Sequence, residues 1–251
     1  MKRLINGALG ILFPPFCVHC QRLLHFTCTD ALCPECQRLW ENEKHSVCKS
    51  CYKRVEDCEC VPSRASKRIK RCYHLTEYDS EEESVTRSIL LCCKDHDYAF
   101  VNELVSSELV QLLRSRMKSF KNTVITYVPR KNEKVINIGV DQSMTTAMEL
   151  SKKLEIEFVK AIIRVGGKEQ KALDSLERMK NAAMAFAASS SAIPAVNGRT
   201  VIIYDDVITT GSSVSACADL LKTMGARTVI VLSLARVYPK IKETDTSWLK
   251  E

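Results

Sequence analysis

Eight cysteines in the first sixty residues fall into pairs, Cys17 with Cys20, Cys33 with Cys36, Cys48 with Cys51 and Cys58 with Cys60. The spacing is C-x-x-C three times and then C-x-C. A segment this short buries too little apolar surface to hold itself together without help. Thiolates two or three residues apart can bite one ion together, and a structural zinc site is closed by four such ligands. Eight thiolates therefore make two full zinc sites. Sequential pairing puts Cys17, Cys20, Cys33 and Cys36 on one ion and Cys48, Cys51, Cys58 and Cys60 on the other; interleaved pairing satisfies the same spacing. Cys28, His19 and His25 lie nearby but are spare once the eight are counted. Nothing marks either site as catalytic. Paired cysteines beside a cysteine-poor segment suit metal binding in a reducing compartment rather than a secreted disulfide scaffold, so a cytoplasmic location is expected.

The 251 residues have room for one ordinary α/β domain besides this module. Residues 1–15 read as an amphipathic helix. Lys2 and Arg3 ahead of a short apolar run imitate an export signal, but no small-residue cleavage site follows, and Pro14 and Pro15 lead straight to Cys17. No later run approaches the ~20 apolar residues that span a bilayer, so no membrane span is expected. Residues 16–61 form the zinc-binding module. Residues 62–72 carry Arg64, Lys67, Arg68, Lys70 and Arg71 without an acidic residue and read as a basic linker. A solvated connection and a strip that follows a nucleic-acid backbone both fit that charge run. The net charge of +7 permits contact with phosphates without demanding nucleic acid. The α/β domain is expected over 73–240, with a polar tail over 241–251.

Beyond the linker, helical and strand patterns alternate. Helical spacing runs from Glu81 to Leu91 and from Tyr98 to Met117, and again over Gln142 to Leu154. Strands are expected at Thr123–Val128, Ile156–Ile163, Met184–Ala188, Thr200–Tyr204 and Thr228–Leu234, with a helix over Ser212–Met224 ended by Gly225. This order implies a mostly parallel sheet with helices on both faces, and ligands of such folds bind at the carboxyl ends of strands.

At one such end the chain reads Val201-Ile-Ile-Tyr-Asp-Asp-Val-Ile-Thr-Thr-Gly-Ser-Ser213. Small residues at a helix start let a phosphate reach free backbone N–H groups, and Thr209, Thr210, Ser212 and Ser213 add hydroxyl donors. Asp205 and Asp206 would repel a bare phosphate, so they suit a ligand that turns ribose hydroxyls or bound magnesium towards them. A Walker loop or a G-x-G-x-x-G turn is absent from the sequence.

That thirteen-residue run resembles the phosphoribosyl-pyrophosphate signature of type I phosphoribosyltransferases. The chain as a whole resembles the ComF (ComFC) family of bacterial competence-related phosphoribosyltransferase-like proteins, through LFPPFCVHC at Leu12–Cys20, the paired cysteines, Val128-Pro-Arg130, Arg178-x-x-Asn181 and Ala235-Arg236. The resemblance implies a phosphoribosyltransferase-like fold behind a double zinc ribbon. It implies that Asp205 and Asp206 contact ribose hydroxyls or magnesium, that the motif from Val207 and Ile208 through Thr209, Thr210, Gly211, Ser212 and Ser213 binds the ligand and holds the 5-phosphate, and that Pro129, Arg130 and Lys131 form the pyrophosphate loop. A tight turn at a strand end with two cations independently suits a charged leaving group. Arg164 and Lys168, with Lys171 and the flexible Gly166 and Gly167, are candidates for a closing loop. Where the family carries R-G-F-N-Q, this chain has Ile138, Gly139, Val140, Asp141 and Gln142. Thr209 stands where 6-oxopurine phosphoribosyltransferases usually have an aspartate, which disfavours hypoxanthine or guanine as acceptor. Two functions follow from the resemblance: an enzyme transferring phosphoribose to a small nitrogenous acceptor, and an adaptor that binds phosphoribosyl pyrophosphate with magnesium while engaging single-stranded DNA or a competence-machinery protein.

Overall fold

The computed structural model describes residues 15–25, 28–48, 50–62, 67–78, 83–95, 99–130, 141–165 and 185–237. The expected helix before residue 15, Arg64, Lys131, Lys168, Lys171, the Arg178–Asn181 step and the polar tail lie outside them.

In chain order the elements are α1 (Pro34–Lys44), β1 (Ile69–Glu77), α2 (Val85–Asp95), α3 (Ala99–Arg116), β2 (Thr123–Tyr127), α4 (Gln142–Leu154), β3 (Glu157–Phe158), β4 (Ile162–Arg164), β5 (Phe186–Ala188), α5 (Ile193–Val196), β6 (Thr200–Ile208), α6 (Ser212–Thr223) and β7 (Thr228–Arg236). Five strands make a parallel sheet in the order β1-β7-β6-β2-β3. Such sheets are buried on both faces, and the unbroken apolar runs of β6 and β7 are what that demands. One face carries α2, α3 and α4 over Ile125, Ile202, Ile230 and Leu232; the other carries α6 over Val201, Ile203, Val229 and Val231.

Three differences from the sequence reading have local causes. β1 begins at Ile69, inside the stretch read as basic linker. Lys70 is exposed and Arg71 half-buried, whereas Ile69 and the run from Cys72 to Thr76 are buried, so the cations mark the outer start of an edge strand. The strand expected over Ile156–Ile163 is two strands. After β3 the chain turns, with Val159 N–H donating to Ile125 O and Ala161 N–H to Val159 O (2.9 Å each), and β4 then pairs antiparallel with β5 outside the main sheet. Finally, β6 runs to Ile208 rather than ending at Tyr204, so the acidic pair sits within the last turns of the central strand.

The cysteine-rich segment shares the core of the sheet. Cys17, Val18, Leu32, Cys33, Cys36 and the fully buried Trp40 belong to one apolar cluster with Tyr73, Ile89, Leu109 and Leu113. Glu43 ties the two together. Its carboxylate accepts from the Val85 and Thr86 amides (2.8 Å each) and the Thr86 hydroxyl (2.6 Å), providing the anion that the start of α2 needs. On the second tetrad's side, Arg116 donates to Asp57 and Glu59, and Arg236 to the Cys60 carbonyl at 2.8 Å.

Candidate functional site

β6 delivers Asp205 and Asp206 to the carboxyl edge of the sheet, and the chain then turns through Thr209 and Thr210 to Gly211. Each aspartate folds one oxygen back onto the backbone: Asp205 Oδ1 accepts from the Asp206 amide (3.1 Å) and Asp206 Oδ1 from the Val207 amide (2.9 Å). Gly211 has φ 79°, a left-handed conformation that costs glycine least, and it caps α6 without any side-chain hydrogen bond. The first amide of α6, that of Ser212, donates to Thr210 Oγ1 at 3.4 Å, and the Thr210 and Ser212 hydroxyls lie 2.9 Å apart beside it; the rest of the first turn meets no capping side chain from Gly211.

Facing this edge is the turn after β2. Arg130 donates from Nη2 to Asp206 Oδ2 at 2.8 Å and from Nη1 to Gln142 Oε1 at 3.2 Å. Its amide donates to Asp141 Oδ2 at 3.1 Å. The other Asp141 oxygen caps α4 through the Ser143 and Met144 amides, at 3.1 and 3.4 Å. One carboxylate therefore fixes both the helix start and the arginine-bearing turn. Arg164, at the end of β4, donates to the Pro129 carbonyl at 3.2 Å and lies 5.1 Å from the Phe186 ring centroid. Pro129, Arg130, Arg164, Asp206 and Gln142 are thus linked by direct contacts, while Lys131 and Lys168 fall outside the described residues.

The electrostatics follow burial. Burial, reinforced by the neighbouring Asp206 carboxylate, pushes the Asp205 carboxyl well above the usual carboxylate range. The buried Cys217 thiol, facing it from α6, is pushed up as well. Burial lowers the Arg164 pKa without threatening its charge. The centre can thus offer one carboxylate that ionises with difficulty, one held by Arg130, and a helix start that Gly211 leaves without a side-chain cap.

The sequence reading did not single out Asp141 as a contributor or Phe186 at all. A capping aspartate before an apolar-periodic helix is a readable sign; its second contact, to the Arg130 amide, joins positions that local patterns do not connect.

At the other end of the chain, the sulfur atoms of Cys17, Cys20, Cys33 and Cys36 lie within 4.8 Å of one another, as do those of Cys48, Cys51, Cys58 and Cys60. This is the sequential arrangement. Four convergent sulfurs suit a tetrahedral soft-ligand ion, so each tetrad could hold zinc. Burial raises the Cys36 and Cys58 thiols. At Cys17 burial also acts upward, but backbone hydrogen bonds from Cys20, Cys33 and His19 prevail and bring it down to about 7.

Residues 124–250 match the family described as Phosphoribosyl transferase domain. The chain belongs to that family. Over its wider length it is similar to Competence protein F of Haemophilus influenzae, with 24% identity across 239 residues, covering 88% of this chain and 96% of the relative. Among solved structures, similarity extends to the allosteric regulatory enzyme of purine biosynthesis, with 19% identity, a TM-score of 0.40 and 59% of this chain aligned. This chain spans only 30% of that enzyme. Adenine phosphoribosyltransferase of Leishmania tarentolae aligns with 12% identity and a TM-score of 0.38, over 64% of this chain and 90% of its own. Among the described residues, no helix of this ComF-like phosphoribosyltransferase-family protein is long and apolar enough to cross a membrane.

Proposed function

We propose that the chain binds phosphoribosyl pyrophosphate with magnesium at the carboxyl edge of β6. The observation that carries this reading is the conjunction, on one strand-turn-helix unit, of two carboxylates and a helix whose glycine N-cap brings no side chain over its first turn. The amides of α6 and the Thr210 and Ser212 hydroxyls hold the 5-phosphate, and Asp205 and Asp206 face the ribose hydroxyls. Arg130, with Lys131 beside it in sequence, meets the pyrophosphate; to do so it leaves Asp206, whose carboxylate becomes free at the same step. Magnesium, when bound with the ligand, neutralises pyrophosphate oxygens. Arg164 and Lys168 close over the ligand and exclude water from the anomeric carbon. In the enzymatic form of this reading, a nitrogen nucleophile displaces pyrophosphate, and Arg130 stabilises the departing charge. Zinc in the two tetrads is structural.

The similarity to a protein named Competence protein F favours a second reading, an adaptor joining this ligand site to DNA uptake in a bacterial cytoplasm. The basic strip supports single-strand DNA as its partner only in part, because Arg68 pairs with Asp219 and Arg71 with Glu59. Calorimetric titration with phosphoribosyl pyrophosphate, with and without magnesium, tests the ligand site. Magnesium-dependent binding and a raised melting temperature are expected; absence of both at millimolar ligand overturns it. Pyrophosphate release across a panel of nitrogenous acceptors separates the enzyme from the adaptor.

A further inference from the structure

Two buried polar side chains on adjacent strands lie in line with Asp205. In the parallel register His74 of β1 stands opposite Ser233 of β7, and Ser233 opposite Asp205 of β6. Residues paired across parallel strands point to the same face, about 4.8 Å apart. Tyr73 and Leu75, flanking His74, belong to the apolar cluster under α3, and so do Leu232 and Leu234, flanking Ser233. His74, Ser233 and Asp205 therefore share the opposite face, the one covered by α6.

His74 and Ser233 are both 0% exposed. Neither ring nitrogen of His74 and not the Ser233 hydroxyl has a hydrogen-bond partner among the described residues. Buried polar groups are almost always satisfied, and a lone orphan in an apolar layer would be selected against as destabilising. Three orphaned atoms side by side, ending at a functional carboxylate, are a different matter. Burial and the neighbouring Arg236 hold the imidazole neutral, with a pKa down at about 3, so it offers one N–H donor and one acceptor. Ser233 both donates and accepts. Arg236, whose guanidinium donates to the Cys60 carbonyl, bounds the row on one side and Cys217 bounds it on the other. An internal water needs two to four polar partners, and such a row provides them.

We propose that His74 and Ser233 are positioning residues for Asp205, joined to it in one hydrogen-bonded row that internal water completes across three strands. The row fixes the Asp205 carboxylate at the strand end, alongside the contact of its Oδ1 with the Asp206 amide, so that its remaining lone pairs are aimed at the ligand. The role rests on the ligand site proposed above, and its test keeps the two apart. In the full chain at pH 7.5, His74→Leu and Ser233→Ala are each expected to weaken magnesium-dependent phosphoribosyl pyrophosphate binding about tenfold. Conservative His74→Gln and Ser233→Thr should restore most of that loss, and the double variant should bind no more weakly than the worse single one. A merely structural imidazole behaves oppositely: leucine there leaves affinity unchanged and raises the urea midpoint. That result overturns the row. If wild type binds no ligand, the site reading fails and urea unfolding alone decides: losses of midpoint that do not add between His74→Leu and Ser233→Ala support the row, and additive ones overturn it. Should His74→Leu not fold, the Ser233→Ala and Ser233→Thr pair carries the comparison.

Discussion

Arg130 and Asp206, seventy-six positions apart, form an ion pair of 2.8 Å in which both side chains are mostly buried. The pair joins the turn after β2 to the end of β6, and the proposed ligand must separate the two groups to reach both of them. Arg130→Gln should lower stability by about 1–3 kcal/mol, the scale of a charged hydrogen bond lost inside a protein. It should also weaken phosphoribosyl pyrophosphate binding about tenfold. Urea unfolding and calorimetry read the two effects separately.

The carboxylates allow a test in which charge and geometry disagree. Asp205→Asn with Asp206→Asn removes both acidic groups beside a polyanion site, so simple attraction calls for tighter binding. If the carboxylates face ribose or magnesium, affinity falls instead, by about a hundredfold for two lost charge-assisted contacts. Titration of the double variant with and without magnesium distinguishes these.

Gly211→Val should weaken ligand binding about tenfold while costing roughly 1–3 kcal/mol of stability, because φ of 79° is a conformation a β-branched residue resists. Asn at the same position tolerates that backbone better and should recover part of the stability but little of the affinity. Melting curves beside calorimetry provide the check.

Elemental analysis of reduced, freshly purified protein should find close to two zinc ions per chain. Because Cys33 and Cys36 sit in the same apolar cluster as Leu109, Cys33→Ser should lower the melting temperature of the whole chain by about 10 °C, in one transition. A separate low-temperature transition would show the cysteine segment melting independently.

His74 sets a pH dependence. Its pKa is about 3 in the fold, against about 6.5 in an unfolded chain. Between those values the unfolded state binds a proton that the native state refuses, so stability is fully present above about pH 6.5 and falls as the solution is acidified. At pH 5 the loss is about 2 kcal/mol. His74→Leu should flatten the profile between pH 7 and 5 by that amount, measured as urea midpoints.

How far these features could be read from the residues differs from one to the next. The acidic pair, the turn and the start of α6 are contiguous, so strand, charge and small-residue signals overlap in thirteen positions. Helix α4 came out at its observed bounds because its apolar period is regular and Asp141 precedes it. β1 was hidden by Lys70 and Arg71, whose charges read as a linker although only the strand's outer end bears them. The division of Ile156–Ile163 leaves no mark in composition, since both halves are apolar and only their partners, β2 and β5, differ. Arg130 was recognisable as a cation at a strand end; its attachment to Asp206 depends on strand order, which no local pattern carries. His74 and Ser233 were passed over for the same reason: each looks like an isolated polar residue until the register aligns them.

Trp40 turns the cysteine segment into part of the sheet's own roof. The indole stands on the cluster that also holds Tyr73, Leu109 and Leu113, and Glu43 on the same helix neutralises the amides opening α2. A chain trimmed back to the residues that match the transferase family would therefore begin with an apolar socket open to water and β1 severed from the sheet. Transplanting the ligand-binding half onto another protein would carry that wound with it, and the recombinant fragment would aggregate before its chemistry could be assayed.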